Sequence, residues 1–464
     1  MNQIFFILGL LGTGVVFLSN VVADGLAELF LLPLSFSIAM LFSKNAVGYL
    51  KDSFGLSILY ALLILRYLIS PMLIARSGTL ISNVSTSPTG LRFAVFVMIL
   101  ELFVVVIAIN ATWKPVSVVF LGKSSSEFKV TWLGALVCLF LGSLLLYRGT
   151  LKHVVDHLSF GNWYTYADDS ELKTYDMSTA LLLKSFLYLV LVAWIWKEYQ
   201  QSRGQVSKVI WMLVAVLAAL CNAMVYQAAN RASMVMGALA SLSVLLYCFG
   251  EKFSRFLPAI LVSLVIFVWG LFANGTLGVK EGESVVEKDN FVSEISRVAE
   301  LYSNGVSMEA HAFDMYDTIT SRSGIYTHLS ELVNSNNMFT LPGLWLVKDS
   351  VESIPSMQSL FNETLDNGDA FILPNAGLAL YCGGKYFGLL VDMAFHWLMV
   401  WGIYAIYKKR MRSRDLSLVY LYSYSEMILG FVIMNNVMIA VSLLSAFPFL
   451  LYVLLKFNKL PKLV

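Results

Sequence analysis

The sequence predicts an all-α polytopic membrane protein with about twelve transmembrane helices and a mostly helical cap on one side. Of its 464 residues, 58% are hydrophobic and only 13% are charged, whereas a soluble globular protein has roughly 25% charged residues. Most apolar residues fall into runs of about 17 to 25, the length at which a helix crosses a bilayer. One long polar segment, 275–370, interrupts these runs.

Nine predicted spans precede the polar segment and three follow it. The first nine lie near 3–22, 26–43, 54–74, 92–110, 130–148, 178–197, 208–228, 232–249 and 256–274. The last three lie near 384–407, 416–435 and 437–456. The domain order is therefore spans one to nine in 1–274, the cap in 275–370, a short segment 371–383, and spans ten to twelve in 384–464.

The short segment reads "FILPNAGLALYCG", with one more glycine after it. It is apolar, but too short and too marked by Gly and Pro to span a bilayer. Irregular backbone at membrane depth is tolerated where it lines a cavity or is buried in protein. We therefore predict a re-entrant or interfacial piece before the tenth span.

Lysine and arginine residues fix the predicted orientation. If the N-terminus is cytoplasmic, basic loops such as "KKRMRSR" at 408–414 fall on the cytoplasmic side, as the positive-inside rule requires. Both termini are then cytoplasmic and the cap is outside. Apolar residues at three and four spacing over 291–335 predict that the cap is helical.

Three basic residues stand where a bilayer makes charge costly. Arg66 lies deep in the third span, Arg231 lies just before the eighth, and Lys385 follows two glycines at the start of the tenth. Each is a candidate for binding an anionic headgroup, since an intramembrane charge requires a cavity or a partner. The alternatives are an ion pair with Glu101 for Arg66, a structural interfacial role for Arg231, and snorkelling to the interface for Lys385.

Arg231 has the most suggestive surroundings. Small residues follow it in "RASMVMGALAS", so neighbouring helices can approach closely. It also lies at a predicted helix N-terminus, where free N–H groups favour anions. Because a guanidinium forms bidentate bonds to phosphate, this position suits a phosphate group. His396, in the tenth span, is expected to be a buried core histidine.

The cap concentrates further ionisable groups in "EAHAFDMYDTITSRSGIYTHLSEL". If the stretch is helical, Arg322 and Tyr326 lie four apart on one face, and His311 and Asp314 lie three apart on another. Arg322 is then a second cation for a phosphate, with Tyr326 beside it. The candidate catalytic residues of the cap are His328 and His311 as bases, with Glu309 and Asp314 as base or orienting partner.

Motifs for metals and cofactors do not occur in the sequence. There is no CxxC pair and no HExxH, and three of the four cysteines fall inside predicted spans, so the cap has no disulfide framework. We expect no cofactor, no metal and no nucleic-acid partner.

The run "NRASMVMGALASLSVLLY", the ninth span, the long outer loop and then "LPNAGLALYCGGKYFGLLVDMAFHWLMVWGIYAIYKK" resemble the bacterial O-antigen and capsular repeat-unit polymerases of the Wzy type. Their layout is shared with the O-antigen ligases. The resemblance covers 205–410. It implies a metal-independent glycosyltransferase of the GT-C kind in the bacterial inner membrane.

That resemblance also implies the reaction and the partners. A growing glycan would move from undecaprenyl pyrophosphate to the non-reducing end of the incoming lipid-linked unit, at the periplasmic face. The expected partners are the undecaprenyl-pyrophosphate-linked oligosaccharides, membrane lipid and a chain-length regulator of the co-polymerase kind. Arginines would stabilise the leaving pyrophosphate.

Three other functions stay open. A ligase needs the same donor and differs in its acceptor. A lipid-linked oligosaccharide flippase would share the spans and buried arginines, but would not need a cap of this size. A solute transporter would show internal repeats, and the two halves do not match.

Overall fold

The computed structural model describes residues 2–19, 26–43, 53–78, 86–114, 174–202, 204–224, 231–250, 303–335, 353–365, 372–434, 436–445 and 447–457. Short pieces at 50, 80, 116, 139, 142–143, 295–297, 299–300 and 350–351 are also described. Within these residues the chain is helical and contains no strand. The all-α prediction is thus confirmed for the part that the structure describes.

The chain divides into two compact units. The first comprises Met1–Pro115, Glu287–Tyr407 and Glu426–Ser445, and the second comprises Val116–Val286, Lys408–Ser425 and Ala446–Val464. Each unit therefore combines segments that are far apart in the sequence.

The first unit contains the beginning of the chain and the cap. Its N-terminal helices are α1 (Asn2–Phe17), α2 (Leu31–Phe42, after the 3-10 turn Ala27–Phe30), α3 (Phe54–Ser77) and α4 (Pro88–Thr112). Its cap helices are α8 (Val306–Asp314), α9 (Tyr316–Arg322), α10 (Ile325–Ser335) and α11 (Met357–Asn362). Most of α12 (Asn375–Arg412), the end of α13 (Leu416–Phe431) and α14 (Val437–Ser445) complete it.

The second unit contains α5 (Thr174–Gln201), α6 (Gln205–Met224), α7 (Arg231–Phe249) and α15 (Phe447–Phe457). A polar network lies inside it. Asn222 donates hydrogen bonds to the hydroxyl oxygens of Ser241 and Tyr420, at 2.8 and 3.1 Å. These bonds join α6, α7 and α13.

Among the described residues, five helices are long and apolar enough to cross a membrane, which indicates a membrane protein. They are Phe54–Ser77, Pro88–Thr112, Gln205–Ala223, Asn375–Arg412 and Leu416–Met434. Several other predicted spans correspond to shorter apolar helices, and the twelfth consists of two, α14 and α15. The structure describes only three residues of the fifth predicted span, 130–148. The ninth predicted span, 256–274, and the cap segment 275–294 lie outside the described residues.

The cap is helical where it is described, and it has an apolar core of its own. Side chains from α8, α9, α11 and the start of α12 form this core, namely Met308, Ala312, Ile319, Met357, Leu360, Phe361, Leu378 and Tyr381. Burial of this apolar area stabilises the cap by the hydrophobic effect. The cap is thus a folded part of the first unit.

Cap carboxylates attach α8 and the residues before it to α3 and α4. Asp314, at the end of α8, accepts a hydrogen bond of 2.6 Å from the Ser87 hydroxyl. Ser87 in turn caps α4 by accepting from the Gly90 N–H at 2.9 Å. Glu300 accepts from the Ser70 hydroxyl on α3. The cap is therefore attached to the spans by polar bonds at several points.

One prediction about the cap is wrong. Arg322 and Tyr326 do not lie on one face of one helix, because α9 ends at Arg322 and α10 begins at Ile325. The Ser323 backbone is extended, with φ −92° and ψ 152°. Ser323 and Gly324 both disfavour a helix interior, so the chain breaks there. His311 and Asp314 do share α8, as predicted.

The long helix α12 is broken at Gly384. Its backbone has φ 75° and ψ 172°, a conformation that is essentially restricted to glycine. The break follows directly after the predicted segment 371–383. The chain from Asn375 to Gly383 is helical, so it forms a short helix on the cap side of the break.

Replacing Asp314 with Ala should lower the stability of the cap. The change removes the acceptor of the Ser87 bonds, and a lost cap or buried hydrogen bond costs about 1–2 kcal/mol. Thermal unfolding of the purified protein in detergent measures the effect. The matched control is Asp317→Ala, because Asp317 is exposed on the next helix; equal unfolding temperatures for the two variants would contradict the role of Asp314.

Replacing Gly384 with Ala should strain the break in α12. An L-residue held in this backbone conformation costs about 1–3 kcal/mol, so the unfolding temperature should fall. Gly14→Ala is the control, since Gly14 lies in α1 with open space around it and alanine favours a helix. An unchanged Gly384→Ala variant would show that the break does not need glycine.

Candidate functional site

Arg66 lies at the centre of a group of ionisable side chains inside the first unit. This buried polar cluster consists of Arg66, Glu101, Glu309, Asp392 and His396. Each of the five is at most 2% exposed. They come from α3, α4, α8 and α12, so the cluster forms only when the cap helix α8 packs against the spans.

Arg66 has two carboxylate partners and a backbone partner. Its Nη2 lies 3.0 Å from Glu101 Oε2 and 2.7 Å from Glu309 Oε1. Its Nη1 donates to the carbonyl oxygen of Ile433 at 3.3 Å, in the 3-10 turn that follows α13. The ion pair with Glu101, one of the two alternatives for Arg66, is therefore present, and a cap carboxylate joins it.

The local backbone of α3 is unusual at Arg66. Residues Leu65–Ile69 form a π-helical segment, and such segments are frequent at functional sites. A π turn adds a residue to the helix and so rotates the residues that follow it. Arg66 and its neighbour Tyr67 are both buried here, and Tyr67 donates to the Met98 carbonyl oxygen at 2.7 Å.

Asp392 and His396 lie one turn apart on α12. His396 Nδ1 is 3.0 Å from the carbonyl oxygen of Asp392, so the proton is assigned to Nδ1, which donates there. His396 Nε2 then presents a lone pair, and the Oε1 atom of Glu101 lies 4.0 Å away. Asn375 donates from Nδ2 to Asp392 Oδ1. His396 is buried, as predicted for a core histidine. Its neighbours are the ionisable groups of the buried polar cluster.

The cluster has more negative than positive groups. One guanidinium faces three carboxylates, so the cluster carries two negative charges when all are ionised and His396 is neutral. Burial raises the pKa of Glu309 well above its ordinary value, the nearby Glu101 carboxylate raises it further, and Arg66 opposes both. Such an imbalance in a low dielectric requires protons or a cation.

A second group of polar residues is accessible from outside the protein. We call it the cap rim: Tyr316, Arg322, Tyr326, His328 and Lys385. Lys385 is exposed directly after the Gly384 break, and its Nζ lies 4.9 Å from the centre of the Tyr316 ring. His328 Nδ1 lies 3.5 Å from Cys382 Sγ. Residues of α9 and α10 thus contact the part of α12 around its break.

The remaining rim residues, Arg322 and Tyr326, are also exposed. Arg322 forms an ion pair of 2.6 Å with Glu363, and both side chains are about half exposed, at 48% and 46%. Such a pair is weak because water screens it, so a phosphate could replace Glu363. Tyr326 is 62% exposed. On α12, Tyr386 and Phe387 next to Lys385 are 89% and 65% exposed.

The predicted catalytic residues of the cap divide into two groups. Three of them have buried or structural contacts: Glu309 pairs with Arg66, Asp314 bonds to Ser87, and His311 Nε2 lies 2.9 Å from the Thr364 hydroxyl. His311 is 1% exposed. His328 alone of the four lies at the cap rim.

Arg231 is the first residue of α7. The sequence placed it at a helix N-terminus, and the structure agrees. Its side chain lies outside the described residues, and so do those of the next four residues. The predicted phosphate contact of Arg231 therefore remains a prediction.

Sequence reasoning missed the combination of Glu101, Asp392 and His396. One signal was available, because Asp392 and His396 are four apart on an apolar helix and therefore share a face. The third member, Glu101, lies nearly three hundred residues earlier, and no spacing rule connects it to them.

No family model, no curated protein and no solved structure matches this chain.

Removing the Arg66 charge should destabilise the first unit strongly. Arg66→Met leaves Glu101 and Glu309 without their cation, and breaking a buried ion pair from one side costs about 3–5 kcal/mol. Thermal unfolding in detergent is again the measurement. Arg92→Met is the matched control, since the Arg92 side chain is 68% exposed beside Glu28 and such a pair contributes at most about 1 kcal/mol.

The double variant Arg66→Met with Glu309→Gln tests the cause. It removes one negative charge together with the positive one, so part of the lost stability should return. If the double variant is less stable than Arg66→Met, charge balance is not the reason for the loss.

Proposed function

We propose that this protein is a membrane glycan polymerase. In this proposal it transfers a growing glycan from undecaprenyl pyrophosphate to the non-reducing end of an incoming lipid-linked unit, at the outer face of a bacterial inner membrane. A chain-length regulator is the proposed protein partner. The sequence resemblance over 205–410 suggests this reaction, and the geometry of the cap rim is compatible with it.

The observation that carries the proposal is the position of Lys385. It is an exposed cation at a break in an apolar helix, with exposed Tyr386 and Phe387 beside it and cap helices next to it. Aromatic rings and cations at such a place suit a lipid whose headgroup is anionic. A polyprenyl pyrophosphate combines those two properties with an attached glycan, which the polar cap can contact.

In the proposed reaction, a sugar hydroxyl of the incoming unit attacks the anomeric carbon of the donor. The new C–O bond forms as the bond to the pyrophosphate oxygen breaks, and that oxygen takes the electron pair. Lys385 and Arg322 are proposed to stabilise the developing charge, since cations placed at a leaving phosphate lower the barrier. Arg231 is kept as a separate candidate for binding phosphate, on the basis of its sequence surroundings. A single displacement of this kind inverts the anomeric carbon.

His328 is the proposed base for the attacking hydroxyl. Its imidazole is half-buried at the cap rim, and histidine is the side chain most often used as a general base. The other imidazole of the cap, His311, is 1% exposed and bonded to Thr364. Substrate can therefore reach His328 more readily than His311.

Surface glycans from the source cell test the function. Deleting the gene should collapse the glycan ladder to a single repeat unit on the lipid core, and the wild-type gene should restore the ladder. Lys385→Ala, Arg231→Ala and His328→Gln should each shorten it or fail to restore it at normal protein level. Gel electrophoresis of the glycans and an immunoblot of the protein give both readings.

Lys208→Ala is the matched control for Lys385→Ala. Lys208 also lies over an aromatic ring, 5.9 Å from the centre of Tyr199, but on the predicted cytoplasmic side. It should restore a normal ladder. If deletion leaves no repeat on the core, the polymerase proposal is wrong: units accumulating outside would indicate a ligase, and units trapped inside a flippase.

A further inference from the structure

We propose that Glu101, Asp392 and His396 bind one divalent transition-metal ion, with Zn²⁺ as the leading candidate. This inference does not rest on the proposed function, since the site is buried and separate from the cap rim. The ion would be structural: it would link α4 to α12 and balance the charge of the buried polar cluster.

The spacing of the donor atoms is the first argument. A ligand atom from each of the three residues lies within 4.8 Å of those from the other two. Two ligands at about 2.0–2.2 Å from one Zn²⁺ are at most about 4.4 Å apart. His396 Nε2 and Glu101 Oε1, at 4.0 Å, already satisfy this limit. The Asp392 carboxylate lies against the same ring, with Oδ1 3.5 Å from Nδ1, and a rotation of its side chain would have to bring an oxygen to the Nε2 side.

His396 Nε2 and its neighbouring carboxylate are both acceptors. The proton on His396 Nδ1 is used by the Asp392 carbonyl oxygen, so Nε2 carries the lone pair, and Glu101 Oε1 lies 4.0 Å from it. Two acceptors that face each other at 4.0 Å are too far apart for a hydrogen bond. A metal ion between them would accept both lone pairs.

An unpartnered carboxylate oxygen is the third argument. Asp392 is 0% exposed, and its Oδ2 accepts no hydrogen bond from a donor among the residues that the structure describes. The side chain of Glu101 that lies beside it is a second carboxyl group. A buried acceptor without a partner loses its solvation without compensation. Coordination to a cation would provide that compensation. Imidazole and carboxylate are ordinary ligands of Zn²⁺.

Charge and supporting contacts agree with a divalent ion. The cluster has two uncompensated negative charges when its three carboxylates are ionised, and one divalent cation neutralises them. Arg66 holds Glu101, and Asn375 holds Asp392. Metal-binding carboxylates are normally held by such neighbouring donors, which fix their orientation.

Metal analysis of the full-length protein tests this proposal. The protein is purified in detergent, stripped with EDTA, incubated with Zn²⁺ and desalted; elemental analysis should then find about one equivalent retained on the wild type. His396→Gln and Asp392→Asn should lose it. Asn375→Ala should bind Zn²⁺ about 10–100-fold more weakly, because it removes only a supporting donor.

Two control variants keep the result specific. His328→Gln and Glu363→Gln change an imidazole and a carboxylate at the surface, and both should retain the ion. EDTA should lower the unfolding temperature of the wild type and of both controls, but not that of His396→Gln.

The wild type alone can overturn the inference if the variants fail to fold. Co²⁺ added to the stripped wild-type protein should give a visible ligand-field absorption that Zn²⁺ abolishes. The proposal is wrong if this absorption does not appear, or if the wild type retains no more Zn²⁺ than His396→Gln does. In either case the cluster is neutralised by protons. Metal content does not depend on the glycan ladder, so either proposal can fail while the other stands.

Discussion

The ion pairs of Arg66 are the interaction on which the first unit depends. An arginine cannot lose its charge at any ordinary pH, and at 2% exposure it cannot reach water. Its partners must therefore be brought to it. Glu101 comes from the neighbouring span, and Glu309 comes from a cap helix more than two hundred residues later in the chain. The position of α8 against α4 follows from this requirement.

The same requirement explains how the cap is attached. An extramembrane segment joined to a helical bundle only by apolar contacts could slide, because hydrophobic contact has little directional preference. Here three cap carboxylates each bond to a different group of the spans: Glu300 to Ser70, Glu309 to Arg66 and Asp314 to Ser87. Directional bonds of this kind fix the register of α8. They also place α9 and α10 beside the break in α12, where the cap rim forms.

Local sequence patterns predicted some of these features and could not predict others. Helix type follows from hydropathy, and five of the predicted spans are found as membrane-length helices among the described residues. The high free energy of an unpaired charge in a bilayer gave the ion pair of Arg66 with Glu101 as one of two alternatives. The helix containing both Arg322 and Tyr326 was predicted wrongly, since apolar spacing continues across Ser323 and Gly324 while the backbone does not. The positions of Glu309, Asp392 and His396 around Arg66 depend on which helices become neighbours. A single sequence contains no rule for that.

Burial also separates the roles that ionisable groups can have in this protein. A group that binds a lipid headgroup or moves a proton to a sugar must be reached by substrate, and in the described residues that condition is met at the cap rim by Lys385, Arg322 and His328. A group at 0–2% exposure that is held by two or more neighbours can instead fix the fold, because moving it would expose an unpaired charge to an apolar interior. The buried polar cluster thus keeps the cap helices in place, and the cap helices position the rim residues at which we propose that substrate binds. Glu101 is connected to Lys385 in this way, through Arg66, Glu309 on α8 and Tyr316 on α9.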